Sequence, residues 1–219
     1  MDTTKKFYWL MLSICVLAGL MLTVVFNRGK NIQTQTVNTP LISAGFQEFD
    51  YYSTGMPPIG NPGAALIAVG WFDFNNARDR DVLKNLLAVA TTRPQDIQLY
   101  IKNFPQPKLF HSDSALPHRA LWCASKQNQL RTFLENGILS GDKLDKNSLQ
   151  QTADALGINQ TTWNDCLNLP ITNQIILDDF DQAERLGLKS TPSLFVNNKK
   201  INLEDDVDIK ELFDKLLAV

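Results

Sequence analysis

Cysteine is scarce in this chain, and its placement excludes as much as its number. Three cysteines occur among 219 residues, Cys15, Cys123 and Cys166, and none belongs to a Cys-x-x-Cys pair. Dithiol exchange between neighbouring thiols therefore has no starting point, because a mixed disulfide needs a thiolate at the attacking position. Histidine is scarcer still: His111 and His118 could join Cys123 and Cys166 only in a set whose spacing fits no short zinc motif, so neither a metal nor a cofactor is expected. An excess of one charge is also missing. Lysine and arginine number 21 against 23 acidic residues, a net charge of −2, and the basic residues are scattered. That pattern leaves no electrostatic footprint for nucleic acid. No internal repeat is visible.

One long apolar run is present. Phe7 to Phe26 (FYWLMLSICVLAGLMLTVVF) carries no charge and is long enough to cross a hydrocarbon core as a helix. No small-residue cleavage site follows it, since the next residues are Asn27-Arg28-Gly29-Lys30, so a retained signal anchor is expected over residues 1–30. Cys15 lies inside the run, and Leu12-Ser13-Ile14-Cys15 fits a lipoprotein box poorly because Ile14 is bulky. Lys5 and Lys6 nearly balance Arg28 and Lys30, and the short N-terminal tail favours an inside N-terminus. The expected location is the bacterial inner membrane, through residues 7–26, with the rest of the chain in the periplasm, where disulfides persist.

Residues 31–58 shift to Gln, Thr, Asn, Ser and Pro, as in a stalk, and residues 59–219 form the expected single domain. Gly60-Asn61-Pro62-Gly63 is a turn leading into an apolar strand, Leu66-Ile67-Ala68-Val69, that ends at Gly70-Trp71-Phe72. Val82, Leu83, Leu86, Leu87 and Ala90 then recur at helical spacing, with Asp79 and Asp81 at the helix start, where negative charge is favoured. Asp96 to Phe104 alternates like a second strand. Helical signals fill about residues 114–188: Ala115 to Leu134, Asp142 or Asn147 to Leu156, Thr161 to Leu167 and Ile171 to Leu186, with Gly157 and Gly187 as stops. Ser193-Leu194-Phe195-Val196 and Lys199-Lys200-Ile201-Asn202 make a hairpin across Asn197-Asn198. A helix over Val207 to Leu217 closes the chain.

Several local motifs occur in this order. They are Gly60-Asn61-Pro62, Phe72-Asp73-Phe74, Asn103-Phe104-Pro105, His111, Ala120-Leu121-Trp122-Cys123-Ala124, Trp163-Asn164-Asp165-Cys166-Leu167, and Gly187 to Asn197 containing Ser190-Thr191-Pro192. Together they resemble the DsbA family of thiol oxidoreductases. The resemblance implies an α/β thioredoxin fold with an inserted helical domain, here preceded by one N-terminal transmembrane helix. It also implies a second, structural disulfide between Cys123 and Cys166, and a cis-proline at Thr191-Pro192 beside the active site.

The departure falls on the catalytic pair. Asn76, Ala77, Arg78 and Asp79 occupy the Cys-x-x-Cys positions, and neither Asn76 nor Asp79 has a sulfur to exchange. Trp71, Phe72 and Phe74 read as core, and Arg78 with Asp79 as an exposed helix start. The expected function is a redox-inactive binding or scaffolding module of the cell envelope. Thr191, Pro192, Phe74 and Asn76 would line a groove for an extended segment of another envelope or secreted protein. The enzymatic alternative is an atypical thiol–disulfide oxidoreductase or a glutathione-transferase-like enzyme, although kappa-class transferases, which share the architecture, carry Ser where Asn76 stands.

Overall fold

The computed structural model describes residues 55–106, 113–141, 143–203 and 207–218. The apolar run Phe7 to Phe26, the stalk up to residue 54, and His111 lie outside these residues.

A four-stranded sheet in the order β2-β1-β3-β4 organises the domain. β1 (Leu66–Phe72) and β2 (Ile97–Asn103) run parallel, in register from Leu66 opposite Ile97 to Phe72 opposite Asn103. Helix α1 (Ala77–Thr92) makes the crossover between them. β3 (Ser193–Val196) is antiparallel to β1, and β4 (Lys199–Ile201) to β3. The β3–β4 turn places Asn197 and Asn198 at φ of 46° and 64°, a left-handed conformation that Asn tolerates. The Asn197 side chain also ties the turn to β1, accepting from the Ile67 N–H and donating to the Ala65 carbonyl.

Alternation along β1 divides the core. Ala68 and Phe72 face a large cluster with Leu83, Leu86 and Leu87 of α1 and Phe213 of the last helix, α7 (Ile209–Leu217). Val69 and Trp71 face a smaller cluster with Tyr100, Phe104, Ala183, Leu188 and Phe195. Both faces of the sheet are thus covered, as buried parallel strands require. Beyond β2, Ile59 exchanges backbone hydrogen bonds of 2.9 and 2.7 Å with Leu99. Gly60, at φ 107°, makes this approach: a Cβ there would lie 2.1 Å from the Ile97 carbonyl oxygen.

Between β2 and β3 run helices α2 (Leu116–Ser125), α3 (Leu130–Phe133) extended by a π turn (Leu134–Ile138), α4 (Lys146–Ala155), α5 (Gln160–Asn168) and α6 (Pro170–Arg185). The continuous helix expected from Ala115 to Leu134 is broken in two. Asn128 adopts φ 61° and the Gln129 N–H returns to the Ala124 carbonyl, so the chain turns before α3 begins. Helix α4 is capped by Asp145, whose carboxylate accepts from the Ser148 N–H.

A disulfide joins Cys123 in α2 to Cys166 in α5, with Cα atoms 5.8 Å apart. It closes 43 residues of chain into a loop. The chain-entropy relation for such a loop corresponds to about 4 kcal/mol. Replacing both cysteines by alanine is expected to lower the unfolding free energy by roughly that amount. Denaturant titration of the variant and the parent in parallel measures this, and an unchanged midpoint would refute it.

Candidate functional site

The junction between β1 and α1 is built by its own side chains. The Asn75 N–H donates to the Asp73 carboxylate at 2.9 Å, and the Asn76 N–H to the Asp73 carbonyl, folding residues 73–76 into a turn. Asn76 is the N-cap of α1, its carboxamide oxygen accepting from the Arg78 N–H at 3.0 Å. At this position a cysteine thiolate would draw on the free N–H groups and dipole of the helix start. Asn76 satisfies one of those donors itself.

Asp79, one turn into α1, corrects the expectation of an exposed helix start, because it is completely buried. Its Oδ2 accepts from the Asp73 N–H at 2.7 Å, across the mouth of the helix. Burial pushes its pKa up to about 6, against the lowering contributions of the Thr191 side chain and the Asp73 N–H. The Thr191 side chain lies on this carboxyl, yet Asp79 Oδ1 reaches no donor at full hydrogen-bonding geometry. Arg78 is exposed, and its guanidinium donates to the Leu203 carbonyl at 2.9 Å.

Thr191 and Pro192 are brought to the same place by strand register. Trp71 pairs with Ser193 in an antiparallel ladder, so the two residues before Ser193 continue alongside Phe72 and Asp73. The Thr191–Pro192 bond is cis and both residues are half-buried. Asn76 is half-buried as well. Phe74 is fully buried, as its reading as core has it and against its place on the groove, its ring stacked on His118 with centroids 4.2 Å apart. It forms the floor beneath the site.

Under that floor runs a buried polar chain that the sequence reading missed. Lys102 Nζ lies 2.9 Å from Asp179 Oδ1, and both side chains are almost inaccessible to solvent. Asp179 Oδ2 accepts from the Asn103 backbone N–H and from its carboxamide, at 3.0 and 2.6 Å. With its amide committed there, Asn103 turns Oδ1 to His118 Nδ1 at 3.0 Å, so that nitrogen carries the proton. His118 Nε2 then accepts from the Phe74 N–H at 3.4 Å. Burial holds the His118 pKa below its usual value, which suits a neutral ring. Burial would raise Asp73, but the neighbouring His118 and the Asn75 N–H outweigh it and keep its pKa low. A signal for part of this chain exists in the sequence: Asp179 falls on the stripe of α6 that also carries Thr172, Ile175, Ile176 and Ala183, all buried.

Of the remaining candidates, Cys123 and Cys166 are joined to each other and His118 is engaged as described, which leaves none of the three free for a zinc ion. Among the described residues no three His, Cys, Asp or Glu side chains gather as metal ligands.

A family profile described as thioredoxin matches residues 53–215. The chain belongs to the thioredoxin family. No match was found among curated proteins. Solved structures with the same fold include a thioredoxin-like oxidoreductase from Silicibacter pomeroyi (TM-score 0.63, 19% identity, covering 77% of this chain and 96% of that one). Another is the thiol–disulfide exchange protein α-DsbA2 from Wolbachia pipientis (0.62, 17%, 76% and 89%), and a third is BdbD from Bacillus subtilis (0.62, 20%, 75% and 94%). At such identities the likeness concerns the fold. In this thioredoxin-family chain the helix start beside the cis-proline carries an amide and a buried carboxylic acid.

The Asp79 geometry predicts a pH signature. Its ordinary pKa is 3.8 and its folded value about 6, so the folded state binds the proton more tightly. The associated stability is complete below the unfolded value and is lost as pH rises through the folded one. An Asp79→Asn variant keeps an acceptor for the Asp73 N–H and carries no charge. It is expected to be more stable than the parent by about 1–3 kcal/mol at pH 7 and close to equal near pH 4. Thermal or denaturant unfolding of both proteins across that range tests the difference, and a constant offset would count against a titrating Asp79.

Proposed function

We propose that this chain is a redox-inactive thioredoxin-family protein of the bacterial cell envelope, held by an N-terminal anchor, that binds an extended segment of another protein beside Pro192. The observation that carries the reading is the helix start. Asn76 caps α1 with its own amide, Asp79 closes the junction onto the Asp73 N–H, and the cis-Pro192 loop is kept beside them. Neither an amide nor a carboxylate can attack a disulfide, whereas a cis-proline loop next to exposed Lys189 and Ser190 can still receive an extended strand. The enzymatic alternative has little to act with, since Cys123 is buried and both it and Cys166 are tied up in the disulfide.

The envelope location is supported by the uncharged run Phe7 to Phe26 and by the disulfide, which suits an oxidising compartment. One protein of similar fold is described as periplasmic, a thioredoxin-like protein from Salmonella enterica, and the Wolbachia relative as a thiol–disulfide exchange protein.

Insulin reduction and oxidative refolding assays on the full chain in detergent test the loss of chemistry. The parent protein is expected to match the no-enzyme control, and an Asn76→Cys, Asp79→Cys double variant to gain turnover. Parent activity well above background would overturn the proposal. For the anchor, protease added to intact spheroplasts is expected to remove the domain following Arg28 while it remains membrane-bound. Protection, or release as a soluble cleaved form, would contradict the proposed topology.

A further inference from the structure

A cleft of about 780 Å³ opens between the start of α1 and the helical insert. Among the described residues it is lined by Arg80, Arg119, Lys143 and Lys146, with Asp113 and Asp145 as its carboxylates. Both acids are engaged within the fold. Asp113 pairs with Arg119, and Asp145 accepts from the Ser148 N–H at the start of α4. The two lysines are less committed than the arginines. Lys143 and Lys146 are exposed and form no ion pair among the described residues. Arg80 donates Nη1 to the Phe74 carbonyl at 2.9 Å, and Arg119, already on Asp113, donates Nη1 to the Asn173 side chain at 3.4 Å.

We propose that this cleft is a second binding site, separate from the groove beside Pro192, and that it takes an acidic peptide segment of a partner protein. A lone inorganic anion would use a small part of such a volume and none of its apolar wall. Leu116, Leu144 and Leu167 are half-buried and form that wall, so an aliphatic side chain between two carboxylates matches both kinds of surface. The two exposed lysines supply point charges at the rim for the peptide carboxylates, with the charge of Arg80 behind them. The chain's net charge of −2 makes a local positive cleft a property of these residues and not of the whole surface.

The probe is a fluorescein-labelled nonapeptide alternating glutamate and leucine, with a glutamine-for-glutamate peptide as control and the full chain in detergent as receptor. Fluorescence anisotropy is expected to show saturable binding of the acidic peptide, about tenfold weaker binding of the glutamine peptide, and affinity that falls with salt. A Lys143→Glu, Lys146→Glu double variant changes only exposed side chains. With unfolding behaviour like the parent, it should bind the acidic peptide about tenfold more weakly and gain affinity for the corresponding lysine–leucine peptide. Equal binding of the two parent probes, binding untouched by the double substitution, displacement by millimolar inorganic phosphate alone, or no binding of the acidic peptide would each overturn the proposal. The Asn76→Cys, Asp79→Cys assay reads the other site, so the two conclusions fail separately.

Discussion

The hydrogen bond from the Asp73 N–H to the buried Asp79 carboxylate is the constraint on which the site depends. It closes the chain where β1 empties into α1, so that Asn76 can cap the helix and Asn75 can fold onto Asp73. It also holds that carboxyl group inside the fold beneath Thr191, and burial there raises its pKa to about 6. Aspartate at the first turn of a helix is favourable for the dipole, but complete burial outweighs that benefit as soon as the proton leaves.

A second buried chain fixes the floor below. Lys102 on β2, Asp179 on α6, Asn103 on β2 and His118 on α2 form one connected set ending at the Phe74 backbone. Buried ion pairs add little net stability compared with apolar residues of the same volume, whereas removing one partner is costly. Their effect here is positional. The insert is locked to the sheet in one register, and the residue two before the N-cap of α1 is held by a ring from the insert. The helical insert and the sheet therefore set the geometry of the helix mouth jointly.

Chemically, the two polar residues at the mouth act in different ways. Asn76 takes up a helix N–H that a thiolate would otherwise draw on. Asp79 brings an ionisable group into a buried place, where the Asp73 N–H serves as its donor. Both leave the cis-Pro192 loop and the strand register around it in place. The binding reading proposed above rests on this combination: a cis-proline loop kept in place beside a helix start that carries no sulfur.

Much of the architecture was legible in the amino-acid order because it rests on local rules. The apolar run Leu66 to Val69, the Asn197-Asn198 turn, and Gly157 and Gly187, which both adopt left-handed φ at helix ends, are dictated by side-chain period and backbone sterics within a few residues. The missing Cys-x-x-Cys was likewise plain from the sequence. Burial was not. Asp79 read as an exposed helix start, Phe74 both as core and as groove wall, and nothing singled out Lys102, yet all three lie inside. What covers them, Thr191, His118 and Asp179, comes from more than 40 residues away in the chain, and only the folded packing of insert on sheet brings those groups together. The break at Asn128 was missed for a related reason: a left-handed residue inside a helical pattern is decided by where α2 and α3 must each pack, and the local period alone does not reveal it.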